Sequence, residues 1–433
     1  MDDTPITNHT LLENGEDKEK KELYNILLYS IGKLISLLGT SIYSFAISLY
    51  ILKVTGSGTS FALSILLGSL PRVILSPIAG SVSDRVNRKK MTIFLDILSG
   101  IIVLMLFASS LLYGLLLPLI YITNFLLAVI GTFFYTCFSA ALPRLVRDHK
   151  LVKINSYSRA IDSGSSVLGP VLAGMVFGLV PMNLFLIVNG ISFLLSAVSE
   201  VFMDFEFNKS QKEQKLSGNV SIKTIGQDIR EVSSFIRGNK LLTLIIPFSI
   251  TINFLIAASM SVVLPYLINK VLGMTSAQYG IIEGAFSVGM LIAALVVGRL
   301  PEKEKKRGGF ILGIIGTGIT MFIMGLPGTG ILRGLSINII FILYIIMGML
   351  FAYFLLSVDL PLNVVLQRSI PNQMMGRFMG VIGTISSSLS PLGIILAGIT
   401  LDIIPAYIIF FTGGLYLSLA ALIMLKSKAM KEY

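Results

Sequence analysis

The stretch Gly80-Ser81-Val82-Ser83-Asp84-Arg85-Val86-Asn87-Arg88-Lys89-Lys90 separates two apolar runs, about 58–80 and 91–113. Each run is about 20 residues long, enough to cross a hydrocarbon core of ~30 Å as a helix. A basic loop between two such runs marks the cytoplasmic side, where membrane proteins collect Lys and Arg. Basic residues alone would satisfy that rule. Asp84 directly before Arg85, and Gly80 at the helix exit, ask for more. Asp84 can meet the positive end of a neighbouring helix, and Arg85 and Arg88 can pair with carboxylates or helix C-termini. Such contacts can hold one conformational state and break in another.

Working outward, the same pattern repeats along the chain. Of 433 residues, 54% are hydrophobic and 13% charged, about half the charge usual in a soluble domain. Twelve spans are expected: about 24–52, 58–80, 91–113, 117–139, 157–179 and 182–204, then 241–266, 277–300, 309–328, 336–358, 377–400 and 405–426. The fold class is therefore all-α, a polytopic helical membrane protein with lipid as its solvent. The composition excludes a soluble enzyme, a disulfide-stapled secreted domain and a disordered chain. The first span is too long for a signal peptide, and Glu13, Glu16, Asp17 and Glu19 stand where a basic region would be needed.

With the N-terminus inside, only six of the 34 Lys and Arg fall away from cytoplasmic segments. Lys53, Lys270 and Arg333 lie outside, and Lys33, Arg72 and Arg159 lie within spans. Both termini are thus expected in the cytoplasm. The net charge of +11 is explained by this topology without a nucleic-acid partner. The single Cys137 and the separated His9 and His149 give no metal-ligand set. No Gly-x-x-x-x-Gly-Lys-Ser/Thr loop occurs, which argues against intrinsic ATP use. No cofactor is expected.

The expected divisions are an N-terminal tail 1–23, a six-helix bundle 24–204, a linker 205–240, a second bundle 241–426 and a tail 427–433. Ile222, Ile225, Ile229 and Phe235-Ile236 give the linker a helical apolar period. Two readings stay open for it, a surface helix and a solvated connection. The halves echo one another. Ser165-Ser166-Val167-Leu168-Gly169-Pro170 recurs as Ser386-Ser387-Ser388-Leu389-Ser390-Pro391, and Leu172-Ala173-Gly174 as Leu396-Ala397-Gly398. Gly80 before its basic loop corresponds to Gly298 before Arg299 and Lys303–Arg307. A repeat of six plus six spans is the plan of a transporter whose halves rock about a central site.

The 80–90 loop resembles the Gly-x-x-x-Asp-Arg-x-Gly-Arg-Arg/Lys-Lys motif of the major facilitator superfamily, with Asn87 in place of the second Gly. Asn tolerates positive φ, so the turn is expected to survive. The resemblance implies a conformational latch made by Gly80, Asp84, Arg85 and Arg88 against the start of the eleventh span, at Gly376 and Arg377. In the fifth span, Ser165, Gly169-Pro170 and Gly174 are similar to the Gly-x-x-x-Gly-Pro-x-x-Gly-Gly pattern of the superfamily's exporters. Ordinary small-residue packing with a Pro kink explains the same residues. With Lys53-Val54-Thr55-Gly56-Ser57, these features make the chain resemble bacterial macrolide-efflux and siderophore-export members over about 24–426. The resemblance implies a multi-pass protein of the bacterial cytoplasmic membrane. It implies a functional monomer that exports a small amphipathic substrate in exchange for protons.

Charges within spans supply the remaining candidates, since each is costly in lipid. Lys33, Arg72, Asp96, Arg159 and Asp162 fall in the cytoplasmic third of their spans, with Arg159 and Asp162 on one face at i, i+3. Either they neutralise one another, or Lys33 and Arg72 face the cavity and bind an anionic group. Glu283, with no intramembrane base in its own half, is the leading proton-coupling candidate, and Asp162 the second. Asn124 and Asn253 are candidate cavity residues beside Lys33 and Arg72, although mid-span amides also join helices. Drug–proton antiporters of the superfamily often carry an acid in the first span, where this chain has Lys33. The alternative is therefore transport of an anionic amphiphile. A membrane-embedded enzyme lacks any clustered nucleophile, metal set or paired carboxylates.

Overall fold

The computed structural model describes residues 8–83, 85–207, 222–299, 307–332 and 334–426. Asp84, Arg333, the 427–433 tail and most of the 299–308 basic loop lie outside the described residues. Among the described residues the chain is helical and without strands, and twelve helices are long and apolar enough to cross a membrane. The elements are α1 (Asn8–Thr55), α2 (Gly58–Ser83), α3 (Arg88–Tyr113), α4 (Leu117–Leu145), α5 (Leu151–Leu179), α6 (Met182–Phe202), α7 (Ile222–Gly238) and α8 (Lys240–Ala258). Then follow α9 (Ser276–Arg299), α10 (Arg307–Gly325), α11 (Ile337–Ser369), α12 (Asn372–Leu401) and α13 (Ala406–Lys426). After α8 the helix continues to Val271 through two π-helical stretches, Ser259–Val263 and Tyr266–Val271. A π-turn inserts a residue into the ladder and re-aims the side chains beyond it.

Local chemistry sets several helix ends. Asn87 has φ −70° and accepts the Lys90 amide at 3.0 Å, so it caps α3 instead of making the left-handed turn expected of it. The reason is the four orphan amides of a starting helix, one of which an Asn side chain satisfies well. Thr275 and Gln278 form a reciprocal capping box at the start of α9, with bonds of 2.9 and 3.2 Å. Gly56 and Gly273, at φ +61° and +66°, turn the chain before α2 and α9. The facing ends of α11 and α12 run longer than hydropathy suggests. α11 continues to Ser369 and α12 starts at Asn372, so the expected loop 359–377 is mostly helix. Polar residues beyond the bilayer carry helix as well as apolar ones do.

The contacts divide into two units. The first holds residues 1–43, 74–169 and 180–215; the second holds 44–73, 170–179 and 216–433. This division by contacts is distinct from the expected bundle boundaries at 204 and 241. It cuts α1 after Tyr43, α2 after Val73 and α5 after Gly169. In the first unit, α3 meets α6 where Gly100 faces Gly190. A Cβ on Gly100 would lie 2.8 Å from the Leu194 side chain and 3.0 Å from the Gly190 carbonyl. In the second, α10 meets α13 at Gly318, where a Cβ would lie 2.7 Å from the Gly414 carbonyl. In lipid, such small residues give backbones the close approach that dispersion requires.

The linker resolves into α7. Val232 is buried in the core of the second unit, and Phe235 meets Phe378 of α12 edge-on at 6.3 Å. At Val232 and Phe235 the apolar face of α7 therefore lies on protein. Ile222, Ile225 and Ile229 lie on the same helix. At the other end, Glu22, assigned to the N-terminal tail, is fully buried. It accepts the Arg147 amide at 2.7 Å and pairs with Arg147 Nη2 at 2.8 Å and Lys150 Nζ at 3.0 Å. An acid brought beside a run of bases has partners to fold against.

Candidate functional site

The acidic candidate of the second half lies on α9. Glu283 lines a cavity of about 30 Å³ with Met260, Leu264, Ile282, Phe286, Met324 and Gly348, room for one or two water molecules. Met260 and Leu264 come from the π-distorted continuation of α8, so that irregularity forms one wall. Tyr279, one turn before Glu283, donates a side-chain hydrogen bond to its carboxylate and stacks on Phe45 at 5.0 Å between centroids. Phe286 meets Phe351 at 5.5 Å. The result is a carboxyl group with one phenolic partner, set among thioether, aromatic and aliphatic side chains. Polarisable methionines and phenylalanines adapt to ligands of varied shape.

The acidic candidate of the first unit is arranged differently. Lys33 is buried and its Nζ lies 2.8 Å from Asp162 Oδ1, 2.6 Å from Ser158 Oγ and 3.2 Å from the Ser158 carbonyl. Tyr29 shares the Ser158 hydroxyl at 3.1 Å. The three ammonium hydrogens thus have three acceptors, and Lys33 offers none to a substrate anion in this state. Of the span charges read as neutralising one another, Lys33 and Asp162 pair here. Asp162 turns to Lys33, and Arg159 is exposed, because a buried ammonium needs its counter-ion more than a solvated guanidinium does.

The four cavity candidates are divided between the units. Lys33 and Asn124 belong to the first, and Arg72 and Asn253 to the second. Asn124 is buried on α4, whereas Arg72 and Asn253 are exposed. Asn253 donates to its own helix, at the Ser249 carbonyl, 2.9 Å away.

In the motif loop, Arg88 donates to the carbonyls of Ser83 at 3.2 Å and Ala140 at 2.9 Å. Lys89 caps the end of α6 at the Val201 and Met203 carbonyls, at 2.7 and 2.8 Å. Cations at helix C-termini meet unpaired carbonyls and the negative end of the helix. Arg85 is exposed, Gly80 has open space at its Cβ position, and Gly376 and Arg377 lie in the opening turns of α12. In α5, Gly169 packs on Ser41, and Gly174 lies against the Ser276 carbonyl at the start of α9. Gly280 faces the Pro170 carbonyl from the other side, so no side chain fits between α5 and α9 here.

Three groups escaped the reading of the sequence. Glu200 is fully buried near the end of α6, Tyr279 partners Glu283, and Asp402 follows α12. Asp402 accepts the Gly58 amide at 2.6 Å, the Thr59 amide at 3.1 Å and the Ser57 hydroxyl at 2.9 Å. It caps α2 from far along the chain, with Gly58 packed against the Gly398 carbonyl. Burial pushes the Asp402 carboxyl up, but the bonds from Thr59, Gly58 and Ser57 outweigh it and hold the group below the ordinary carboxylate range. Glu200 was detectable as an acid inside a span; the Asp402 contact had no local signal.

Comparison with known proteins agrees with this architecture. Macrolide efflux protein A of Streptococcus pyogenes is 24% identical over 393 residues, covering 89% of this chain and 91% of that protein. The multidrug efflux pump Tap of Mycolicibacterium fortuitum is 23% identical over 382 residues, covering 86% and 88%. Among solved structures, an inward-facing bacterial homologue of the iron transporter ferroportin superposes with a TM-score of 0.69 at 16% identity, covering 92% and 98%. The fold, the twelve spans and a match to the Major Facilitator Superfamily over residues 29–394 make this chain a member of that superfamily.

Proposed function

We propose that this chain exports small amphipathic molecules by alternating access, in exchange for protons, as a monomer with both termini in the cytoplasm. The observation that carries the reading is Glu283. An acid in a Met- and Phe-lined cavity of a transport fold, held by one tyrosine, can gain and lose a proton as water or substrate enters. Adaptable apolar walls suit a substrate defined by amphipathicity more than by shape. The efflux functions named for two relatives support the outward direction. Transport of an anionic amphiphile through Lys33 would require its ammonium to leave Asp162 and Ser158.

The test uses acidified everted vesicles with a pH-sensitive dye, adding cationic, neutral macrolide and anionic amphiphiles singly. The expected result is substrate-dependent proton release that Glu283→Gln abolishes at unchanged protein level. Movement of labelled substrate with no change in the gradient would overturn proton coupling. Release that survives Glu283→Gln would overturn the role of Glu283.

A further inference from the structure

A second pair of acids lies where α3 meets α6, apart from Glu283 and in the other unit. Asp96 is 2% exposed and Glu200 0%, and the two carboxyl groups are close enough to interact electrostatically. Their hydrogen bonding is unequal. Asp96 Oδ2 accepts the Ser36 hydroxyl at 3.1 Å, and Ser36 is itself 2.8 Å from Ser196 Oγ. Asp96 therefore has a hydroxyl donor on one of its oxygens. Glu200 has none: neither of its oxygens receives a hydrogen bond.

Its polar neighbour is Thr92, whose one hydroxyl hydrogen goes to the Lys89 carbonyl at 3.0 Å. With its hydrogen on the Lys89 carbonyl, Thr92 presents lone pairs to Glu200, and a charged Asp96 presents acceptors as well. A group surrounded by acceptors is satisfied when it carries a hydrogen. The charged groups on the packed elements do not alter this. From α1, Lys33 is held by Asp162 of α5 and by Ser158. On α3, Lys89 points its Nζ to the Val201 and Met203 carbonyls. From α4, Tyr135 lies beneath Lys33, 5.7 Å from ring centre to Nζ. Among the described residues no cation forms an ion pair with Asp96 or Glu200.

We propose that Asp96 and Glu200 form a proton-binding site at the α3–α6 contact, with Glu200 the protonated acid and Asp96 the charged, serine-bound partner. Two carboxyl groups at one place take different protonation states when their surroundings supply donors to one and acceptors to the other. Releasing this proton would leave Glu200 without a donor, so release requires water or a donor to enter between α3 and α6. The glycine contact of Gly100 and Gly190 lies on the same pair of helices and keeps that seam closed. The site does not depend on export or on Glu283.

The test is infrared difference spectroscopy of the purified full-length protein in lipid nanodiscs near neutral pH, exchanged from H2O to D2O. The expected spectrum contains a carboxylic-acid C=O band that shifts on deuteration. Glu200→Gln loses this band, Glu283→Gln keeps it, and Asp96→Asn displaces it. A band unchanged in Glu200→Gln overturns the proposal. So does a band that disappears when sodium chloride replaces a bulky organic salt, since the acids would then form a cation site. If Glu200→Gln does not accumulate, Asp96→Asn decides, and an unshifted band overturns the assignment. Loss of dye response in the vesicle assay leaves this band untouched, so the two readings fail separately.

Discussion

The buried ion pair of Lys33 and Asp162 allows a quantitative test, because one partner is buried and the other half-exposed. The Lys33 side chain is 4% exposed and the Asp162 side chain 36%, with 2.8 Å between Nζ and Oδ1. Breaking a fully buried pair by deleting one partner costs ~3–5 kcal/mol, chiefly from the charge left behind. In Asp162→Ala, Lys33 keeps both Ser158 acceptors and water reaches the vacated site, so we expect about 2–3 kcal/mol, below that range. At ~2–4 °C per kcal/mol for a unit of this size, the midpoint should fall by roughly 4–12 °C.

The chain has no Trp but a single buried thiol, Cys137. A fluorogenic maleimide therefore reports unfolding of the detergent-solubilised protein as exposure of Cys137. Lys33→Met removes the buried charge itself, and the double variant Lys33→Met with Asp162→Ala should recover most of the loss. Coupling between the two substitutions is the signature of the pair. If the double variant melts as low as the two losses added together, the ion pair is not what Asp162 contributes, and the argument fails.

Three further outcomes follow from the contacts. Gly174→Val places a side chain against the Ser276 carbonyl, so α5 and α9 must separate. In a Cys137→Ser background, Ser276→Cys should then react faster with a membrane-impermeant maleimide, and an unchanged rate contradicts the packing account. Asp402→Ala removes the cap of α2 and should lower stability by about 1 kcal/mol at neutral pH. Because the folded carboxyl is held below its ordinary value, this contribution is complete above about pH 4. It fades as pH falls through the lower folded value. A wild-type-minus-variant difference that grows on acidification would refute the cap. Glu22→Ala leaves the Arg147 amide and the Arg147 and Lys150 cations without their acceptor. Its midpoint should fall further than that of Glu22→Gln, which keeps one oxygen, and equal midpoints would deny Glu22 this role.

Much of the fold was legible because its determinants are local. Unbroken apolar runs are long enough to span a bilayer, basic residues stay between them, and Gly and Pro recur at matching places in the two halves. The 80–90 loop stood out by its local composition, whereas the carbonyls that Arg88 and Lys89 reach, on α4 and at the end of α6, are far away in sequence. Glu283 stood out because an acid in an apolar run is costly wherever its helix packs. Partner choice was another matter. Sequence spacing placed Asp162 and Arg159 on one face and left the partner open among five charges, and the approach of α1 brought the buried Lys33 to Asp162. Asp402 caps a helix that begins more than three hundred residues earlier, and Glu200 meets Asp96 only because two glycines bring α6 onto α3. Hydropathy and charge are properties of a segment and determine which residues enter the membrane. Which faces meet there depends on side-chain shape and hydrogen-bond direction across helices, and only the tertiary structure decides it.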